Sequence, residues 1–484
     1  MTRYRLPADP SAWWVPPLLS PLKIVVIDDD PTGSQTVHGC PLLLRWDPAT
    51  LDAALAHPSP LLFLLANTRA LGPEEARARI RELAAALALA LARARELGLL
   101  DGWILVSRGD STLRGHFPLE VEELAAALGP FDATFLVPAF LEGGRTTVDG
   151  VHLLHGQPVH ESAFARDSLF GYSTSYLPDW VEERSGGRLS AARVQCLGLA
   201  ELEGDPRRLR QRLAALADQA LVAVDAERSV HLDALAAALR DLSATTAGGD
   251  GAQSPAGRPR RFLAQSAAGL PAALAALPPQ PLDPVALAGL RRRDEEGRPR
   301  PGLVLVGSHV PLADAQLERL LTEPHCRGIE LPVARLHRVL EGPLPERLLA
   351  SLEADWLQQL QAVLAEGRTP VLFTSRGELR CRHAAERRAL GLALAGLMAR
   401  LAASLAPRLG YLISKGGITT HTLLADGLGL DRVDLQGQLL PGLSLVLAPV
   451  AAAPGLPVLT FPGNLGEADT LRQAWAWMER GGPL

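Results

Sequence analysis

Lysine is almost missing from this chain. Lys23 and Lys415 are the only two among 48 basic residues, and arginine supplies the rest. Positive charge is not in surplus either. The formal net charge is −5, which removes the electrostatic reason to expect nucleic acid or an acidic membrane surface as a partner. Cysteine is scarce and scattered: Cys40, Cys196, Cys326 and Cys381 form no CxxC pair and no zinc-ligand spacing. That excludes a disulfide framework and leads us to expect reduced, mostly buried thiols of a cytoplasmic protein. Near the N-terminus Pro7, Pro10, Pro16 and Pro17 interrupt any apolar core of the length a secretory leader needs. The longest apolar helical run, Leu83 to Ala92, is flanked by Arg79, Arg81, Arg93 and Arg95. It falls well short of the ~20 residues of a membrane span, so no membrane partner is expected. Two nucleotide motifs are also lacking. With neither GxxxxGK[ST] nor GxGxxG, P-loop enzymes and dinucleotide-binding dehydrogenases are set aside.

What is present is a long alternation of short apolar runs with Ala/Leu/Arg-rich helical stretches. At 484 residues, two domains are the default. Strands are expected at 23–28, 61–65, 103–107, 134–138 and 221–225, with helices at 73–98, 118–128, 207–219 and 231–242. The rhythm restarts with strands near 303–306, 370–374, 410–413 and 457–460 and helices near 312–322, 353–366, 382–404 and 468–478. This βαβ pattern predicts an α/β fold of two domains, each a mostly parallel sheet flanked by helices, with the active site in the cleft between them. The expected boundaries are 1–290 and 300–484, with a linker at 278–301 and a flexible insertion at about 244–260. The 150–195 region, poor in such signals, reads as an elaborated loop or lid. No repeat of fixed period is present.

The densest chemistry is Asp28-Asp29-Asp30-Pro31-Thr32-Gly33, directly after the apolar run Ile24-Val25-Val26-Ile27. Ligands of open α/β sheets bind outside the carboxyl ends of the strands. Carboxylates gathered there repel one another unless a cation, a hydroxyl or a proton is to be placed. A plain capping turn would serve as well for a lone Asp pair. Further strand-to-helix turns tip the balance. Ser107 to Gly115 contains Asp110, Ser111 and Arg114 in a setting suited to anions, where backbone N–H groups and an arginine fork favour negative charge. Pro138-Ala139-Phe140 leads to Gly143, Gly144 and Arg145. Arginines for a carboxylate and aspartates for hydroxyls suit a small polyhydroxy acid. His152, His155 and His160 lack metal spacing and read as structural or lid contacts. In the second half, Gly307-Ser308-His309, Thr374 to Gly377, Ser414-Lys415-Gly416-Gly417-Ile418-Thr419-Thr420 and Phe461-Pro462-Gly463-Asn464-Leu465-Gly466 each follow a strand. Any one such glycine-rich turn is weak; four together point to phosphate cradles and a nucleotide.

These strings resemble the four-carbon acid sugar kinase family, whose members phosphorylate D-threonate, D-erythronate or 3-oxo-tetronates with ATP. The family's Asp-Asp-x-Thr-Gly is matched by Asp29 to Gly33, its Asp-Ser-Thr-Leu-Arg-Gly by Asp110 to Gly115, and its Pro-Ala-Phe and Gly-Arg-Thr-Thr by Pro138 to Phe140 and Gly144 to Thr147. The resemblance spans roughly residues 23 to 470. It implies a sugar-acid site in the first domain, with Asp29 and Asp30 acting on the attacking hydroxyl and Thr32, Gly33, Asp110, Ser111, Arg114, Gly144 and Arg145 binding substrate. It implies ATP in the second, against Ser308, Lys415, Gly416, Gly417, Ile418, Thr419, Gly463 and Asn464, with Mg²⁺ expected and its ligands unassigned. Homodimer formation is left open. Three departures mark a divergent member: Ile418 replaces the Asp of a Gly-Gly-Asp-Thr turn, Arg108 stands where many members have Lys, and Asp28 is added.

Two other readings compete. A haloacid-dehalogenase-like phosphohydrolase would use Asp28 as nucleophile and Asp30 as its partner, although Gly33 stands where that pattern has an apolar residue. A non-catalytic sugar-acid sensor would explain Ile418 but leaves the adjacent Asp29 and Asp30 without a reason.

Overall fold

The computed structural model describes residues 22–31, 33, 36–244, 259–342, 345–377, 384–448 and 455–482. Thr32, Cys381 and most of the expected 244–260 insertion lie outside these. The chain divides into two compact units after Pro281.

In the first unit, β1 (Leu22–Asp28) is buried along its whole length, as a both-faces-covered parallel strand requires. It pairs in parallel with β3 (Leu61–Leu65) on one side and β4 (Gly102–Arg108) on the other. Outside them lie β2 (Cys40–Leu43) on the β3 side, and β11 (Phe262–Ser266), β5 (Ala133–Val137), β10 (Ala220–Val224) and β9 (Gln195–Leu197) on the β4 side. The chain thus crosses from one side of β1 to the other, and the ends of β1, β3 and β4 form a topological switch point. The helix Pro73–Glu96 shows why the strands are covered. Pro73 opens it, Glu74 and Glu75 sit in its first turn and Arg93 and Arg95 in its last, each favoured by the helix dipole. Its stripe Ile80, Leu83, Ala84, Leu87 and Leu91 joins Val25, Ile27, Leu62 and Leu105 in one core.

The 150–195 region is not an open loop. The short strands β6 (Arg145–Val148), β7 (Val151–Leu154) and β8 (Gln157–Pro158) make a small antiparallel sheet, followed by the helix Leu177–Arg184. Alternation over only two to four residues is too short to announce such strands in sequence.

In the second unit, β12 (Gly302–Val306) is central among β13 (Cys326–Leu331), β14 (Thr369–Thr374), β15 (Tyr411–Lys415) and β18 (Pro457–Phe461), in the order 13-14-12-15-18, all parallel. The antiparallel strands β17 (Leu443–Leu447) and β16 (Arg432–Leu440) extend the β18 side. Residues 282–301 pack into this unit, where Arg291 grips Glu479 and Arg292 bonds the Ala406 carbonyl. One sequence expectation is corrected here. Leu83–Ala92 is not the longest apolar stretch: Glu386–Arg408 is long and apolar enough to cross a membrane by composition alone. However, 56% of its apolar window is buried within the fold, the mark of a core helix.

Candidate active site

At the end of β1 the three carboxylates have three different environments. Asp28 is fully buried, level with Arg108 on the neighbouring strand. Its Oδ1 accepts the Asp30 backbone N–H at 3.2 Å and lies 3.5 Å from an Arg108 nitrogen, while its Oδ2 has no hydrogen-bond partner among the described residues. Burial, with Arg108 opposing and Asp29 and Asp30 assisting, pushes its carboxyl up to about 7. Asp29 is gripped by the Arg69 fork at 2.9 and 2.5 Å and by Arg108 at 3.2 Å. Asp30 is more open, its side chain 23% exposed, with Arg69 at 3.5 Å. Gly33 closes over the group: a Cβ there would lie 2.2 Å from Asp28 and 2.6 Å from Arg108.

The turn after β4 brings Asp110 and Arg114 to the same place. Arg114 Nε donates to Asp110 at 2.7 Å and its guanidinium stacks on Phe164, while Arg69 approaches Asp110 at 3.7 Å. Burial opposes the charge on Asp110. Arg69, Arg114 and the Thr112 hydroxyl nevertheless hold its carboxyl below the usual range. Leu113 and Gly115 both have positive φ, so the turn is tight. Fully buried His152, from β7, bonds the Ser111 carbonyl at 2.8 Å, and the Tyr172 hydroxyl bonds the Thr112 carbonyl at 2.6 Å. The β6–β8 sheet is therefore tied to this turn. His152 also bonds the Thr147 hydroxyl, and burial pushes it down to about 4, so it is neutral and structural.

Arg145 is the exception among these arginines. It is half-buried, its guanidinium donates to the Gly143 carbonyl at 2.5 Å, and its buried Nε has no partner among the described residues. No carboxylate pairs with it among the described residues. Gly144, at φ 69°, makes the turn that presents it.

Two residues of this site escaped the sequence reading. Arg69 follows β3 in Asn67-Thr68-Arg69, a polar turn at a strand end like the others, and could have been found by the same rule. Glu120 lies in the first turn of the helix Leu119–Leu128, where an acidic residue reads as an ordinary dipole partner. Its buried carboxylate accepts the Thr68 and Ser107 hydroxyls, and burial followed by the charge of Asp29 pushes it up to about 7. Asp29, Asp110, Arg114 and Glu120 share the lining of one pocket with Gly109, Gly115, Pro138 and Ser266.

In the second unit the ends of β12, β15 and β18 converge through glycines. A Cβ on Gly463 would meet the Ser308 hydroxyl at 2.6 Å, one on Gly416 would meet Ser308 at 3.3 Å, and one on Gly307 would meet the Thr419 hydroxyl at 2.0 Å. Gly416, at φ 115°, opens the helix Gly417–Thr422 in a conformation that side-chain-bearing residues avoid. Thr419 is buried, Ile418 is 39% exposed and Asn464 is exposed. Lys415 does not face outward as a phosphate contact would. Fully buried, it donates to the Pro462 and Gly463 carbonyls at 3.0 and 3.2 Å and lies 3.8 Å from the Phe461 ring. Burial lowers it to about 7. In this geometry it fastens the Pro462–Gly463 turn.

Known proteins match along these same lines. A family model described as a sugar-binding N-terminal domain matches residues 24–273, and one described as a nucleotide-binding C-terminal domain matches residues 303–471. A D-threonate kinase of Cupriavidus necator is 28% identical over 423 residues, 85% of this chain and 86% of its own. A D-threonate kinase of Salmonella typhimurium is 26% identical over 76% of this chain and 79% of its own. A D-erythronate kinase of Heliobacterium modesticaldum is 31% identical, over about a third of each chain (34% and 36%). In fold, a solved protein of Salmonella typhimurium LT2 aligns with a TM-score of 0.65 at 18% identity, covering 93% of this chain and 98% of its own. A Haemophilus influenzae protein aligns at 0.59 and 17% identity, covering 94% and 100%. With both domain models matched in order around the turns described above, the chain belongs to the four-carbon acid sugar kinase family, as a divergent member.

Proposed function

We propose that this protein transfers the γ-phosphoryl group of ATP to a hydroxyl of a short sugar acid, a tetronate or oxo-tetronate being the first candidate. The observation that carries the reading is Arg145. A half-buried guanidinium that has no carboxylate partner among the described residues favours an anion, and its buried Nε is left unsatisfied. In this reading Arg145 takes the substrate carboxylate, Arg114 and Asp110 meet its hydroxyls, and Ser111 and Gly33 shape the surrounding turns. Asp30, the more open carboxylate, accepts the proton of the attacking hydroxyl. Asp29 holds Arg69 and Arg108 in place. The phosphohydrolase alternative loses support, because its nucleophile would be Asp28, a fully buried carboxyl beneath Gly33.

The turns at Gly307, Gly416 and Gly463 suit a nucleotide's phosphates, since the absence of a side chain at each lets the backbone of the three strand ends come close to Ser308 and Thr419. Gly417, Thr419 and Asn464 complete that group. Of the carboxylates nearby, Asp314 is already held by Arg376 at 2.9 Å, so no protein ligand for Mg²⁺ is assigned. The ion would supply charge neutralisation on the phosphates.

Transfer requires the acceptor oxygen and the γ-phosphorus to approach within about 3–3.5 Å. ATP hydrolysis without the acid is therefore slow. The test is a panel of four- to six-carbon aldonic and keto acids with ATP and Mg²⁺, followed by ADP release and a product heavier by one phosphoryl group. Stimulation by one acid class is expected; release of phosphate from a generic phosphoester with no acid-dependent ADP formation would overturn the proposal.

A further inference from the structure

Asp28 is fully buried and lies outside the pocket that Asp29 and Asp110 line, yet it touches both things that matter there. Its Oδ1 receives the backbone N–H of Asp30 at 3.2 Å, and an Arg108 nitrogen stands 3.5 Å from that same oxygen and 3.2 Å from Asp29. Its other oxygen is buried and unpartnered, as is the Arg108 Nε. Such a buried, half-satisfied carboxyl costs stability, so its place beside the site calls for a role there. Resting on the kinase reading above, we propose that Asp28 is a positioning residue for the reaction, fixing the backbone of Asp30 and sharing Arg108 with Asp29 so that its own charge tunes the proton-accepting carboxylate.

Among the described residues the titratable or charged groups that face Asp28 are Arg108 from β4, and Asp29 and Asp30 from its own turn. Arg69 stands behind Asp29. When Asp28 is ionised, Arg108 is divided between two carboxylates, and an additional negative charge lies beside Asp30. Both effects make Asp30 a stronger base. When Asp28 is neutral, Arg108 is left to Asp29 and the neighbouring negative charge is gone. The upward shift of Asp28, to about 7, brings this change into the range where an enzyme would work. Gly33 keeps the arrangement tight, because any side chain there would enter the space of the Asp28 carboxylate.

Two substitutions separate charge from geometry. Asp28→Asn keeps an oxygen to accept the Asp30 N–H but carries no charge; Asp28→Ala removes both. The full-length protein would be assayed for acid-dependent ADP release from pH 5 to 9, with affinity for the best acid of the panel measured by calorimetry across the same range. We expect Asp28→Asn to move the acid limb of kcat to lower pH by half a unit or more, with KM for the acid within about twofold of wild type. We expect Asp28→Ala to lower kcat at least tenfold, again with KM and calorimetric affinity little changed. An Asn variant whose pH profile superimposes on wild type, or an Ala variant whose loss lies wholly in KM, overturns the proposal. So does an Asn variant that fails to fold, because an isostere that cannot fold marks Asp28 as purely structural. Failure of the kinase reading looks different: wild type itself would then show no acid-stimulated ADP release.

Discussion

The two candidate sites are built from opposite materials. At the end of β1 the first unit crowds three carboxylates, with Arg69 and Arg108 laced between them and Arg114 held close by on Asp110. At the end of β12 the second unit offers glycine, hydroxyls and backbone, and its one lysine faces inward. Both stand at the central strand of a parallel sheet, where the chain switches sides. One topology can thus carry a site of charged side chains or a site of closely packed backbone. The first kind of site should fail when charge or planarity changes with shape kept. The second should fail when a methyl is added with charge kept.

The sharpest break in that comparison is Asp30→Asn. If Asp30 accepts the hydroxyl proton, kcat falls about 10²- to 10⁴-fold. ATP affinity by calorimetry stays within about twofold, because the glycine turns are untouched. Undiminished turnover would move the base to another residue. Next comes Arg69→Lys. Lysine keeps the charge but cannot span both Asp29 oxygens as the fork does at 2.9 and 2.5 Å. Losing one charged hydrogen bond, about 1.5–3 kcal/mol, lowers kcat/KM for the acid by about 10- to 100-fold. A lysine variant with wild-type kinetics would show that charge alone suffices there.

The counterpart in the second unit is Gly416→Ala. At φ 115°, with Ser308 3.3 Å from where the methyl would sit, an alanine strains the turn by about 1–2 kcal/mol. ATP affinity should weaken on the order of tenfold, while affinity for the acid is unchanged. A variant that loses acid and ATP affinity alike would mean the substitution has damaged the fold rather than a cradle.

How much of this the sequence discloses depends on the material. Long buried runs such as Ile24 to Ile27 and Leu303 to Val306 announce their strands, and a polar turn after each announces a site. Asp110 to Gly115 is legible because its residues are chemically loud. Arg69 obeys the same rule, yet a single arginine in an arginine-rich chain carries little signal. Glu120 could not be read at all: its importance lies in Thr68 and Ser107, distant in sequence, delivering their hydroxyls to it. The β6–β8 sheet was hidden by strands too short to show a period. Lys415 misled for a related reason. Rarity made it conspicuous, and only the fold reveals that its ammonium is spent on the Pro462 and Gly463 carbonyls.

That orientation yields a smaller effect to measure. Lys415→Met keeps an apolar stem over Phe461 but frees two carbonyls, lowering stability by about 1–2 kcal/mol. ATP affinity should change less than threefold. A large loss of affinity with an unchanged melting temperature would return Lys415 to the phosphates and blur the contrast between the sites.

The smallest effect reads the contrast through pH. Burial, then the charge of Asp29, raises Glu120 to about 7, so the stability it contributes is present below the ordinary carboxylate range, near pH 4.5, and lost as pH rises through 7. Burial lowers Lys415 from 10.5 to about 7, so the native state binds fewer protons than the unfolded chain between those values. Its contribution is therefore present above about 10.5 and lost as pH falls toward 7. His152, lowered to about 4, works against Glu120 by losing stability as pH falls below 6.5. Lys23, lowered to about 8 by burial, adds to the alkaline trend and persists in either variant. Melting curves from pH 4.5 to 10 should therefore show Glu120→Gln flattening the decline between 4.5 and 7, and Lys415→Met flattening part of the rise between 7 and 10. Each change is on the order of 1–2 kcal/mol, or about 2–4 °C per kcal/mol for a unit of this size. If Glu120→Gln left the acid side unchanged while Lys415→Met altered both limbs, the buried charge of the first unit would not be where the geometry puts it.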